Sequence, residues 1–257
     1  MAAGESLQPT TREMERINWL EFKDWVPQKI DTVLLPLGTM EAHGVIPNGT
    51  DILAPVALAR AIAAEVNAMI APVIAYGFTG ILDAYPGSFT IPEDVYRAYV
   101  RAVIVGLAGN NFKNVVLLNG HGGGQTAILS ALAQEVGRET KTRILAVNWW
   151  SYCSDVVQEV YGQDGGHAGN TETAYMMAVD PALIQTERYT GPEMATAIPA
   201  PNTWSAYPFP SSILVYKEGE GYPVFELEKA KTYFTKVNAK MASLIKETIR
   251  KWDLAGL

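Results

Sequence analysis

Apolar residues in this chain cluster into short runs, separated by longer segments with helical spacing. Thr32–Leu37 (Thr-Val-Leu-Leu-Pro-Leu) is continuously apolar and β-branched, the pattern of a strand buried on both faces. Met69–Ile74, Val115–Leu118 and Arg143–Asn148 have the same look. Between them, Asp51–Ala64 and Gln125–Glu139 carry helical spacing. A third helix opens at Ile91-Pro-Glu-Asp-Val, where the proline and the acids suit a first turn, and runs to about Asn110. Strand and helix thus alternate through four strands. That order predicts right-handed crossovers and a parallel sheet covered on both sides.

Outside this region the pattern is looser. Up to about Ile30 the chain reads as a polar arm with a short helix over Trp19–Trp25. Gly77–Pro92, rich in Gly, Pro and aromatics, reads as a functional loop. A helix is expected after Thr171 and a hairpin within Val215–Leu227, around Gly219–Gly221. The last helix is expected from about Glu228 to Lys251. Thr190–Pro210 holds five prolines and is excluded as regular structure. No repeat or linker divides the chain, so residues 1–257 are read as one domain of the α/β class.

Composition narrows the function classes. Of 257 residues, 48% are hydrophobic and 18% charged, which excludes a disordered chain. The net charge of -7 argues against a nucleic-acid partner, which would need clustered Lys and Arg. A single cysteine, Cys153, excludes an internal disulfide framework. The N-terminus has no signal-like apolar segment, and no run approaches the ~18 residues of a membrane span. The expectation is a cytoplasmic protein with no membrane partner.

The chemistry concentrates at three histidines, each beside glycine. His43 lies in Gly38-Thr-Met-Glu-Ala-His-Gly44, His121 in Asn119-Gly-His-Gly-Gly-Gly124, and His167 in Asp164-Gly-Gly-His-Ala-Gly-Asn-Thr-Glu172. The first two follow the first and third strands, and open parallel sheets bind ligands beyond the carboxyl ends of their strands. Glu41 and His43 are two apart, so an extended backbone turns both to one side. Asp51 follows a Pro47-Asn-Gly49 turn that can return the chain to the site, although a helix cap is its other reading. Glu172 stands near a helix start. Glu41, His43, Asp51, His121 and Glu172 therefore form a mixed carboxylate and imidazole set suited to Zn, Mn or Fe. Five ligands exceed what one tetrahedral zinc needs, and a shared carboxylate could join two ions that together acidify a water. Gly122 and Gly123, without side chains, let a substrate approach. Trp149 and Trp150 close the fourth strand on the same edge and are candidate pocket walls. Phosphate-loop, dinucleotide and nucleophile-elbow patterns are incomplete in this chain.

Leu35–Gly44, Asp51, Asn119–Gly123 and His167–Thr173 stand in an order that resembles the creatininase (creatinine amidohydrolase) family, from about Val33 to Met177. The resemblance implies a three-layer α/β/α sandwich, two divalent metal ions per chain and a homo-oligomer, commonly a hexamer. It implies metal ligation by Glu41, His43, Asp51 and His121. Creatininase proper carries a further Glu where this chain has Gly123, and in members with the Asn-Gly-His-Gly-Gly form Glu172 takes that role. The departure points away from creatinine and towards the relatives that hydrolyse formamides, a peptide terminus or a keto-inositol ring. The expected function is hydrolysis of a small polar substrate at a non-peptide C–N amide bond, with His167 passing a proton to the leaving group. Ring opening of a cyclic ketone or lactone is the alternative within enzymes. A metal-binding scaffold is the alternative outside them, and it would show no activity to lose on chelation.

Overall fold

The computed structural model describes residues 8–191, 203–204, 206–208 and 221–257. In chain order its elements are α1 (Trp19–Trp25), β1 (Thr32–Leu37), α2 (Thr50–Ile62), β2 (Ala68–Ile70), α3 (Glu93–Gly109), β3 (Asn114–Asn119), α4 (Gly123–Thr140), β4 (Arg143–Asn148), α5 (Trp149–Tyr152), α6 (Ser154–Tyr161), α7 (Asn170–Val179) and α8 (Leu227–Leu254). The strands form one parallel sheet in the order β2-β1-β3-β4.

The period of two along each strand sorts its side chains between two cores. Leu34, Val116, Leu118 and Val147 face one side, against α2, α6, α7 and α8. Val33, Leu35, Leu37, Val115 and Leu117 face the other, against α3 and α4. Both faces are covered, so the strands are apolar throughout, and the three-layer sandwich follows. Each fully buried Leu or Val contributes roughly 1.5–3 kcal/mol of transfer free energy.

The second strand is shorter than its apolar run. It stops at Ile70 because Pro72 has no N–H for a ladder, and Ile74 makes only an isolated bridge to Leu37. The N-terminal arm covers the exposed edge of β2: Glu13 bridges Ile70, and the Ile70 N–H donates to the Arg12 carbonyl at 2.7 Å. Two short helices, α5 and α6, occupy a region that showed no clear periodicity. The expected hairpin lies outside the described residues up to position 220, as does most of the proline-rich segment. Among the described residues, no helix is long and apolar enough to cross a membrane.

Candidate metal centre

The site is built from chain that leaves β1 and β3 at their carboxyl ends. Two glycines make it compact. A Cβ on Gly38, just after β1, would lie 2.2 Å from the Asp51 carbonyl oxygen, and one on Gly120, just after β3, would lie 1.9 Å from it. Neither position tolerates a side chain, and the close approach brings the start of α2 between the two loops. Gly49 is the N-cap of α2 and makes no side-chain cap. Asp51 is therefore not a helix cap, and its carboxylate turns to the histidines instead.

Its two oxygens face two different imidazoles. Oδ1 is 3.2 Å from His43 Nε2, and Oδ2 is 2.9 Å from His121 Nδ1. Glu41 Oε1 lies 3.3 Å from the same His121 nitrogen, and Glu172 Oε2 lies 3.6 Å from His43 Nε2. Two ligand groups result, Glu41–Asp51–His121 and His43–Asp51–Glu172, each with its ligand atoms within 4.8 Å of one another. Asp51 belongs to both. Glu41, His43 and His167 form a third such group.

The hydrogen bonds orient these groups for a cation. His43 Nδ1–H donates to the Glu41 carbonyl at 3.0 Å, which leaves Nε2 for the cluster. Buried His43 Nε2, His121 Nε2 and Glu41 Oε2 have no hydrogen-bond partner. Orphaned buried atoms of this kind, in a carboxylate and imidazole donor set, fit a divalent ion. Charge tells the same story. Burial favours the neutral form of His43, but the Asp51 and Glu172 carboxylates override it and raise its pKa well above the ordinary imidazole value. His121 is pushed up to about 10, against its burial, by Asp51 and Glu41. Asp51, despite burial, is held far below the usual carboxylate range by His43 and His121. Burial opposes the charge of Glu172 as well, and His43 is the main group that holds its pKa below the usual value. Protons here do what a cation would do.

Supporting contacts fix the loops. Asn119 Oδ1 accepts from the His121 N–H at 3.2 Å and from Gln125 Nε2 at 2.9 Å, and Asn119 Nδ2 donates to the His121 carbonyl at 2.6 Å. Gln125 Oε1 in turn accepts from the Phe78 N–H at 3.2 Å. The Gly77–Pro92 loop is pinned along the Glu41–His43 segment: Met40 bridges Phe89, the Thr39 and Thr79 hydroxyls meet at 2.6 Å, and Ser88 Oγ accepts from the Ala42 N–H at 3.0 Å. Glu172, in the first turn of α7, accepts from the Ala168 N–H at 2.6 Å. His167 Nε2–H donates to the Ala42 carbonyl at 2.7 Å, and its Nδ1 lies 3.6 Å from Glu41 Oε1.

A cavity of about 600 Å³ opens over the cluster, lined by Glu41, Asp51, His121, His167 and Glu172 among others. Gly122, Gly123 and Trp150 line it as well. Trp149 does not. It is buried behind Trp150, its ring 4.7 Å from that of Tyr175, so of two adjacent tryptophans one is a wall and the other is core. The sequence reading left out Phe78, Ile81, Leu82 and Asp164, all of which line the cleft. Phe78, Ile81 and Leu82 lie within the Gly77–Pro92 segment read as a functional loop, and Asp164 stands three residues before His167 in the same glycine-rich loop, but none was singled out.

A profile of the creatininase family, described as creatinine amidohydrolase, matches residues 15–245. The chain belongs to the creatininase family. It is 26% identical over 202 residues to the creatinine amidohydrolase of Pseudomonas putida, covering 71% of this chain and 77% of that one. Against the mycofactocin precursor peptide peptidase of Mycobacterium ulcerans identity is 30% over 178 residues, 63% and 64% of the two chains. Against the 3-dehydro-scyllo-inosose hydrolase of Thermotoga maritima it is 25% over 192 residues, 68% and 60%. The chain thus spans less than two thirds of the last two relatives. A crystal structure of creatininase superimposes with a TM-score of 0.78 at 21% identity, covering 93% of this chain and 98% of that one, and shows the shared fold. Related creatininase structures are described as of Zn-Zn type and as the Mn form. As a family member with a buried cluster of ligand-type side chains, the chain is a metal-dependent hydrolase.

Proposed function

We propose that Glu41, His43, Asp51, His121 and Glu172 hold two divalent ions, Zn, Mn or Fe, and that the site hydrolyses a non-peptide C–N amide bond. The observation that carries this reading is Asp51, whose two oxygens address two separate ligand groups. Bound there, two ions would provide an acidified water as nucleophile near neutral pH and polarise the carbonyl under attack. The chain's own residues do the rest. Glu41, Asp51 and Glu172 offset the charge of the ions. Gly122 and Gly123 keep the approach to the cluster open, and Trp150 bounds it. His167, its Nε2–H tied to Ala42, presents Nδ1 beside Glu41, where it would take the proton that the attacking water loses and hand it to the departing nitrogen, a poor leaving group until protonated. Gly123 offers no carboxylate where creatininase proper has one, so creatinine is not the expected substrate. The chain would form a homo-oligomer as the family resemblance implies, which sedimentation would test, and the exposed, touching rings of Tyr76 and Phe89 are a candidate contact. The test of the catalytic reading is an amide panel assayed before and after chelation and after readdition of Zn, Mn or Fe. Activity that disappears and returns supports it, and activity indifferent to chelation refutes it.

A further inference from the structure

The cleft has two unlike sides. Its floor is the ligand cluster. Its wall is apolar, made of Phe78, Ile81, Leu82 and Trp150. The two rings stand at opposite ends of the glycine loop. A Cβ on Gly124 would lie 2.7 Å from the Phe78 ring, and one on Gly122 would lie 3.8 Å from Trp150 Cζ2. Ile81 is 37% exposed, an apolar side chain held at the mouth. A volume of about 600 Å³ has room for a ligand with a substantial apolar group.

The charges are equally one-sided. Among the described residues, no Lys or Arg lines this cleft, whereas four carboxylates do: Glu41, Asp51, Asp164 and Glu172. Two divalent ions would bring four positive charges. Glu41, Asp51 and Glu172 offset three, and the hydroxide that hydrolysis needs offsets the fourth. Asp164 is then left over. One of its oxygens accepts from the Thr171 hydroxyl, and the residue remains half-buried on the cleft wall, where it can also accept from a substrate N–H.

We infer that the substrate is an amide bearing an aromatic-sized apolar group and no fixed negative charge, with the apolar group seated between Phe78 and Trp150 and a donor or cationic nitrogen facing Asp164. This rests on the dinuclear reading and adds to it an apolar group that the substrate carries beside its amide. A carboxylate or phosphate on the substrate would meet Asp164 with no lysine or arginine of the described wall to receive it, a like-charge approach in a partly desolvated site.

The test is calorimetric binding of four metal-chelating probes to the Zn-loaded protein: acetohydroxamate, benzohydroxamate, 4-(aminomethyl)benzohydroxamate and 4-carboxybenzohydroxamate. Burial of the ring should make benzohydroxamate bind at least about tenfold more tightly than acetohydroxamate, and Phe78→Ala should shrink that ratio. The aminomethyl probe should bind at least about tenfold more tightly than the carboxy probe, and Asp164→Asn should bring that ratio towards one. If Asp164→Asn fails to fold, the two ratios in the unaltered protein decide alone. Equal affinities, or a preference for the carboxylate, overturn the inference and leave the metal site standing. Binding of none of the four would overturn both.

Discussion

Asp51 is the residue on which the site turns. It sits at the second position of α2 yet caps nothing, because Gly49 holds the N-cap position and the two carboxylate oxygens face His43 and His121. Asp51→Ala should therefore cost both ions and all activity, and full occupancy in that variant would remove the bridge from the account. His167 should behave differently. Its tether to the Ala42 carbonyl is a role that a metal does not require. His167→Ala is expected to keep the ions and the fold while kcat falls by about 10²–10⁴. Metal analysis and kinetics on one preparation separate the cases: lost metal makes His167 a ligand, consistent with its place in the Glu41–His43–His167 group, and unchanged kcat makes it a loop anchor. Gly123 has no side chain to offer a metal, and its φ of +56 favours glycine there. Creatinine turnover should be negligible, and efficient turnover would mean that Glu172 replaces the missing carboxylate completely. Glu41, His43 and His121 were legible as candidates because they sit in glycine-flanked loops just past strand ends, whereas Asp51 and Glu172 stand in the first turns of α2 and α7. What stayed hidden was direction. Nothing in two consecutive tryptophans says that Trp150 faces the cleft and Trp149 the core.

At the scale of elements, β1 and β3 were readable because both their faces are buried, which leaves a nearly continuous apolar run, and the partly buried edge strand β4 keeps the apolar stretch Ile144–Val147. The limits of β2 were not, since hydropathy continues through Ala71–Ile74 while Pro72 ends the ladder. α6 is only eight residues long, below the length at which helical spacing separates from noise, and α5 is shorter still. The apolar wall was missed for a related reason: Phe78, Ile81 and Leu82 lie in a loop whose path depends on contacts with Thr39, Met40 and Gln125, far away in sequence. Two glycines carry a consequence at this scale. Gly38 and Gly120 hold β1 and β3 against the first turn of α2, with no room for a methyl group. Gly120→Ala should push α2 away from the strand ends, lowering stability by about 1–3 kcal/mol and weakening metal binding at the same time. Thermal unfolding paired with metal titration checks this, and a variant of ordinary stability and affinity would show that the loops shift without cost.

For the whole molecule, the cluster links metal, protons and stability. In the metal-free protein the His121 pKa is raised to about 10 by Asp51 and Glu41. The sign follows from linkage: a raised folded-state value adds stability that is fully present below the unfolded value near 6.5 and is lost as pH rises through about 10. Urea unfolding of the metal-free protein should therefore give a lower stability at pH 10.5 than at pH 6.5, and the opposite order would contradict the assignment. Metal must displace the same protons, because its ligands are neutral imidazoles. Affinity should climb with pH near neutrality, by about tenfold per pH unit for each proton released. Calorimetry in buffers of different ionisation enthalpy would count those protons.

The proposed arrangement at the centre of this account is two ions sharing Asp51, and metal content measures it most directly. Elemental analysis of the purified protein, repeated after stripping and reconstitution with Zn, Mn and Fe, should return close to two ions per chain. At most one ion per chain with every metal would contradict the dinuclear centre.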